Sequence, residues 1–362
     1  MSRTTQAILS TEALLHNVQV IKHHAPAKKI IAMVKANAYG HGLRTVSSKI
    51  APHVDMLGVA SVDEALALRR HGVTQKIILM QGIFEPEELQ VAADNDFSIV
   101  FNHQQQLNWL KKSNINQSIT AWIKIDTGIG RLGFSSSEAL TAYNLLQSHK
   151  FIKKPVGIMS HFACADDRDH PANQRQIKLF DDVINEIDVP HAPKSFCNSA
   201  AIFNFPEKHY DYVRPGIALY GASAILGKTA NQLMLKPVMS LMTSLISVRM
   251  FDKGSPIGYG GRFICPERMP IGIVAMGYGD GYPPTAPNGT PVLIHGKRCG
   301  LAGKISMDMM AVDLRPCPHA TVGDSVCLWG DELPVEDVAL ATGFSVWNLL
   351  TAVQNRVKFL WH

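Results

Sequence analysis

The stretch "IIAMVKANAYGHG", from Ile30 to Gly42, carries one lysine at the end of an apolar run. Burying an unpaired ammonium is costly, so such a lysine finds a partner or has its pKa depressed, and a depressed amine serves as nucleophile or base. Lys35 is that residue; the alternative is an ordinary side chain whose head snorkels to water. Polar residues close other apolar runs in the same way. Arg131 follows "ITAWIKIDTG", His161 falls in "VGIMSHF", Asn198 and Ser199 in "KSFCNSA", and Arg214 and Gly216 in "YVRPGIALYG".

The elements that must position these residues follow from the pattern. Short β-rich runs at 29–35, 56–61, 76–82, 96–102, 119–128, 156–162, 194–200 and 212–221 alternate with helical segments. Ser61 to Glu64 and Ser135 to Glu138 both fit the S-x-x-E capping box, and Gly72 stands where a helix C′ glycine belongs. Strand then helix, repeated, predicts an α/β fold with a (β/α)8 barrel of TIM type, an open doubly wound sheet being the alternative. In a barrel the strand C-terminal ends carry the active site, which is where the residues above collect. From about residue 230 the chain is β-rich with Gly and Pro turns, apart from "VEDVALATG" and the last segment, which read as helical. The expected division is a barrel over 1–228 and a mainly β domain over 229–362.

Bulk properties exclude several classes. The 362 residues carry a net charge of +5 with 46% hydrophobic and 18% charged side chains. The lysine pairs at 28–29, 111–112 and 153–154 are scattered without interleaved aromatics, so no nucleic-acid partner is expected. No apolar run reaches the ~18 residues of a membrane span, and "MSRTTQAILSTEALL" lacks the apolar core of a signal peptide, so a cytoplasmic protein with no membrane partner is expected. The six cysteines lack C-x-x-C spacing, which indicates neither a disulfide framework nor a zinc site; no metal is expected.

Loops after the seventh and eighth strands of such a barrel commonly cradle phosphate. The Gly216 and Ile217 amides and the Ser199 hydroxyl supply suitable donors, unless Pro215-Gly216 is only a turn. A lysine able to form a Schiff base beside a phosphate cradle suggests pyridoxal phosphate.

In order along the chain, "VKANAYGHG", "KIDTGIGRLG", "MSHFACAD", "NSAA", "VRPGIALYG", "GYGG", "GYGDGY" and "SMDMMAVDL" resemble the alanine racemase family. The resemblance implies a barrel plus β domain, pyridoxal phosphate, alanine as substrate, and a homodimer. It makes Lys35 the cofactor-linked lysine and one of two proton-transfer bases, with Tyr259 in "GYGG" the other, supplied by the partner subunit. Tyr39, Ser199, Gly216 and Ile217 match the phosphate contacts, and His161 the residue beneath the pyridine ring. Arg214 matches the residue facing the ring nitrogen. Arg131 and the Met307 backbone match the contacts to the substrate carboxylate, and Lys124 matches a lysine often carbamylated. "SVWNLLTAVQNRV" departs from the pattern: Trp347-Asn348 stands where the family carries Tyr-Glu, leaving an indole N–H in place of a phosphate-binding hydroxyl. The resemblance implies a role in supplying D-alanine to the cell wall or in alanine catabolism. A broader racemase acting on serine, or a related decarboxylase, is the alternative.

Overall fold

The computed structural model describes residues 3–362. It separates into two compact units, one of Val18–Leu219 with Ala224–Lys228, the other of 3–17, Tyr220–Ser223 and Thr229–His362. The division expected at 228/229 differs in leaving the first residues with the barrel. In the structure β1 (Gln6–Leu9) belongs to the β unit, pairing antiparallel with β10 (Met239–Phe251) over Gln6↔Met242 to Leu9↔Met239.

The first unit is a closed parallel barrel of eight strands: β2 (Lys29–Met33), β3 (Met56–Val59), β4 (Lys76–Leu79), β5 (Phe97–Phe101), β6 (Ile119–Lys124), β7 (Ile152–Met159), β8 (Lys194–Ser195) and β9 (Tyr212–Val213). The closed ring rules out the open sheet. Strands buried on both faces read as unbroken apolar runs, as in β3, where all of MLGV is buried. The last two strands stop well short of the runs expected at 194–200 and 212–221. Asn198 Oδ1 accepts from Ala201 N at 3.0 Å and so caps a helix at Ser199–Asn204. After β9, Pro215-Gly216 turns the chain into a 3-10 turn at Ile217–Tyr220.

Of the two capping boxes, the one at Ser135 forms: Ser135 N donates to Glu138 Oε2 at 2.9 Å. The one at Ser61 is a correction. Glu64 N donates to Ser61 Oγ at 3.4 Å, but the Glu64 carboxylate goes elsewhere, accepting from Ala60 N and from Ala36 N, each at 2.8 Å.

The β unit is built on β10, which pairs with β1, β13 (Met269–Val274) and β17 (Ser325–Trp329). With β14 (Pro291–Ile294), β15 (Lys297–Leu301) and β16 (Met310–Asp313) the sheet runs β13-β16-β15-β14-β17-β10-β1 and ends on β18 (Lys358–Trp361). The short pair β11 (Pro256–Ile257) and β12 (Phe263–Ile264) stands apart. The last segment was expected to be helical, and is so only over Val346–Ala352; Lys358–Trp361 is a strand that extends the sheet parallel to β1. Among the described residues no helix is long and apolar enough to cross a membrane.

Candidate active site

Lys35 leaves β2 into a turn of unusual hand. Ala36, Asn37, Ala38 and Tyr39 all have φ between +52° and +54°. For L-residues with a Cβ this conformation costs roughly 1–2 kcal/mol each, so the surroundings must hold it. Ala36 N donates to Glu64, Ala38 N to Val34 O at 2.8 Å, Gly42 N to Asn37 O at 2.9 Å and Leu43 N to Asn37 Oδ1 at 2.8 Å. Burial lowers the Lys35 pKa, the Arg131 charge lowers it further, and Glu64 works in the opposite direction.

The left-handed turn buries Tyr39 and brings its hydroxyl against Gly216, where a Cβ would lie 2.4 Å from Tyr39 Oη. Only glycine tolerates that approach. Ser199 Oγ accepts from Gly216 N at 2.8 Å and from Ala218 N at 3.3 Å, so the loops after β8 and β9 and the turn after β2 meet at Gly216. Burial pushes the Tyr39 hydroxyl up to about 12, which keeps it a protonated donor at neutral pH.

Arg214 is the buried hub of the site, only 3% exposed. Its Nη1 donates to Ser195 Oγ at 2.6 Å, and its Nη2 to Ser160 O at 2.5 Å and Phe196 O at 3.2 Å. Burial lowers its pKa to about 10, still well above neutrality. His161 is held well below its ordinary value by burial and by the charges of Arg214, Lys124, Arg131 and Lys35. Gln176 fixes the His161 loop, donating to His161 O at 3.0 Å and Thr127 Oγ1 at 3.2 Å while accepting from Ala163 N at 2.9 Å.

Lys124 ends β6 and is 7% exposed. Burial, then Arg131 and Arg214, lower its pKa to about 8. Asp126 does not act as its ion-pair partner: Oδ1 accepts from Gly128 N and Ile129 N at 2.9 Å and Gly130 N at 3.3 Å, and Oδ2 from Arg131 N at 3.1 Å. That loop carries Arg131, whose charge reaches Lys35, Lys124 and His161. Lys35, Lys124, Arg131 and Arg214 thus share one region with a neutral imidazole, an arrangement that calls for an anionic ligand.

The barrel brings together Lys35, Tyr39, Lys124, Arg131, His161, Ser199, Arg214, Gly216 and Ile217. Tyr259 and Met307 lie in the other unit. Tyr259 opens the short turn Tyr259–Gly261 between β11 and β12 and is 69% exposed; Met307 is 54% exposed. A Cβ on Gly277 would lie 2.4 Å from the Met307 carbonyl, and Gly279 N donates to Met307 O at 2.8 Å, so "GYGDGY" shapes the Met307 loop. Trp347 sits in the first turn of Val346–Ala352, partly exposed. Sequence reasoning missed Glu64, Gln176 and Ser195. Glu64 was hidden by its match to a capping box. Gln176 left a trace as a polar residue on the apolar face of Pro171–Ile187, where it is buried.

Residues 9–224 match the family described as alanine racemase, N-terminal domain, and residues 238–361 the alanine racemase C-terminal domain. The alanine racemase of Legionella pneumophila (strain Corby) is 43% identical over 360 residues, 99% of this chain and 100% of that protein. That of Coxiella burnetii (strain CbuG_Q212) is 43% identical over 365 residues, 99% of each. The crystal structure of the biosynthetic alanine racemase from Pseudomonas aeruginosa superposes with a TM-score of 0.96 at 39% identity, covering 99% of both chains. With both family domains matched in order across nearly its whole length, the chain is an enzyme of the alanine racemase family.

Proposed function

We propose that the protein interconverts L- and D-alanine using pyridoxal phosphate, with Lys35 and Tyr259 as the two bases. The observation that carries this reading is the convergence of a depressed lysine with an anion cradle at the mouth of the barrel. Tyr39, Ser199, Gly216 and Ile217 would hold the phosphate, His161 and Arg214 the ring, and Lys35 the cofactor covalently. The fit rests on the close approach of Gly216 to the Tyr39 hydroxyl and on the positive charges of Arg131 and Arg214 gathered near Lys35. When bound, pyridoxal phosphate supplies a conjugated ring that accepts the electrons of the breaking Cα–H bond.

The chain's own residues do the rest. Racemisation removes a proton from one face of the α-carbon and returns one on the other, so two proton-handling groups must flank it. Lys35 is suited to one face because its lowered pKa leaves more free amine near neutral pH. Arg131 pairs with the substrate carboxylate, orienting the Cα–H bond. Arg214 keeps its proton and donates it as a hydrogen bond, so it does not protonate a ring nitrogen facing it. Lys124 carries a carbamate, which reverses its charge and turns it toward Arg131.

Tyr259 acts from the partner subunit of a homodimer. Its exposure, together with that of Ile264, Tyr278, Met307 and Met309 in the same unit, supports a second copy packing there. Purified, cofactor-loaded protein should exchange the enantiomers of alanine faster than those of serine and release no carbon dioxide. Decarboxylation without enantiomer exchange would overturn the reading.

A further inference from the structure

The carboxylate of Glu64 has a task that its place in the sequence disguises. Glu64 stands in the first turn of Val62–Arg70, where Ser61 caps the helix, and an ordinary capping box would return its side chain to the Ser61 amide. Instead its two oxygens reach different loops: Oε2 accepts from Ala60 N at the end of β3, and Oε1 from Ala36 N, both at 2.8 Å. β2 and β3 are neighbours in the barrel, with Met33↔Gly58 in register, so one carboxylate ties together the loops that leave two adjacent strands. The Ala36 amide is the one immediately after Lys35, and Ala36 is the first of the left-handed residues.

We propose that Glu64 is a positioning residue for Lys35: by clamping the Ala36 and Ala60 amides it starts the left-handed turn that aims the amine and delivers Tyr39 to Gly216. The far end of the turn has its own clamp, since Asn37 Oδ1 accepts from Leu43 N at 2.8 Å. The start has Glu64. Amide bonds to an ionised carboxylate are about twice as strong as neutral ones, enough to bias a turn whose residues each resist their conformation. Glu64 also places the nearby negative charge that opposes the lowering of the Lys35 pKa, against burial and the positive charge of Arg131. The link from clamp to catalysis rests on Lys35 being a base of the proposed reaction. The link from clamp to turn does not.

Two variants of the cofactor-loaded protein separate these effects. Glu64→Gln has the same shape, but its amide group meets one backbone N–H donor to donor. Amide exchange in the peptides containing Ala36 or Ala60 should accelerate about tenfold, the equivalent of one lost hydrogen bond. With D-alanine, kcat should fall about tenfold while KM changes little, and the acid limb of its pH profile should move to lower pH because the charge favouring the ammonium is gone. Glu64→Asp keeps the charge but is one methylene short, so exchange should accelerate while the acid limb stays in place. Unchanged exchange in Glu64→Gln overturns the clamp. Faster exchange with unchanged kcat and acid limb overturns the positioning role. If Glu64→Gln does not fold, Glu64→Asp tests the clamp through exchange and kcat. If the wild-type protein lacks racemase activity, the exchange comparison still tests the clamp, and the functional reading alone fails.

Discussion

Arg214 Nη2 lies 3.2 Å from His161 Nδ1. A guanidinium only donates, so Nδ1 must be the acceptor, and the imidazole is neutral with its proton on Nε2. This fixes the charge of the site from within. The imidazole is a polar platform rather than a cation, and the arginine remains the charged member of the pair.

The neutral histidines make acid destabilisation predictable. His161 is held well below 6.5, and buried His41 is lowered to about 4 by burial. Both bind protons in the unfolded chain before they do so in the folded one. Their stabilising effect is complete above the unfolded pKa and is lost as pH falls through the folded one. His41 alone should remove on the order of 3 kcal/mol between pH 6.5 and 4. Urea midpoints measured at pH 7.5, 6, 5 and 4 should fall progressively, and His41→Asn should flatten the slope. A wild-type midpoint that does not change over this range refutes the assignment.

Gly216→Ala tests the cradle. The added methyl would meet Tyr39 Oη at 2.4 Å, and since Gly216 lacks a positive φ the effect is steric alone. Overpacking of this kind costs roughly 1–3 kcal/mol. The cofactor should dissociate at least tenfold more readily, by absorbance after gel filtration, while Gly227→Ala, open to solvent but with positive φ, should affect stability only. Equal cofactor retention in both variants would remove Gly216 from the cradle.

The barrel was legible because its strands are buried on both faces and its helices carry caps, signals that depend on neighbours a few residues away. Lys35, His161 and Arg214 were legible because a charged or polar side chain at the end of an apolar run stands out. The left-handed turn was not, since "ANAY" contains none of the glycines that advertise positive φ, and what holds it lies 28 residues on at Glu64. Gln176 was equally obscure, its partners Thr127, His161 and Ala163 being brought to it only by the closed barrel.

Lys124 should take up carbon dioxide. Carbamate formation needs the neutral amine, and a pKa lowered to about 8 leaves about a tenth of it neutral at pH 7, against less than a thousandth for a free lysine. Native mass spectrometry in bicarbonate should show an added carbon dioxide on Lys124, more of it as pH rises from 7 to 9. Lys124→Ala should lose activity and regain part of it with small carboxylic acids. An active enzyme bearing an unmodified lysine would refute the assignment.

Lys35 should be the residue that holds the cofactor. Borohydride reduction of the loaded protein should fix pyridoxyl on the peptide containing Lys35, and Lys35→Ala should bind the cofactor without fixation. Pyridoxyl found on Lys124 instead would reverse the two roles.

The last prediction concerns where the second base comes from. Tyr259 is exposed in the β unit, so if it serves the face opposite Lys35 from the partner subunit, each site of the dimer uses residues of both chains. Lys35→Ala should chiefly disable proton exchange with D-alanine, and Tyr259→Phe that with L-alanine, the lysine change also removing cofactor attachment. The two inactive variants can then be mixed under subunit exchange. In a heterodimer, one site receives Lys35→Ala from its own chain and Tyr259→Phe from its partner, and so carries both defects. The other site receives neither. Activity should therefore recover to about half the wild-type value per heterodimer, by counting intact sites. Heterodimers separated by affinity tags but still inactive would place both bases on one chain.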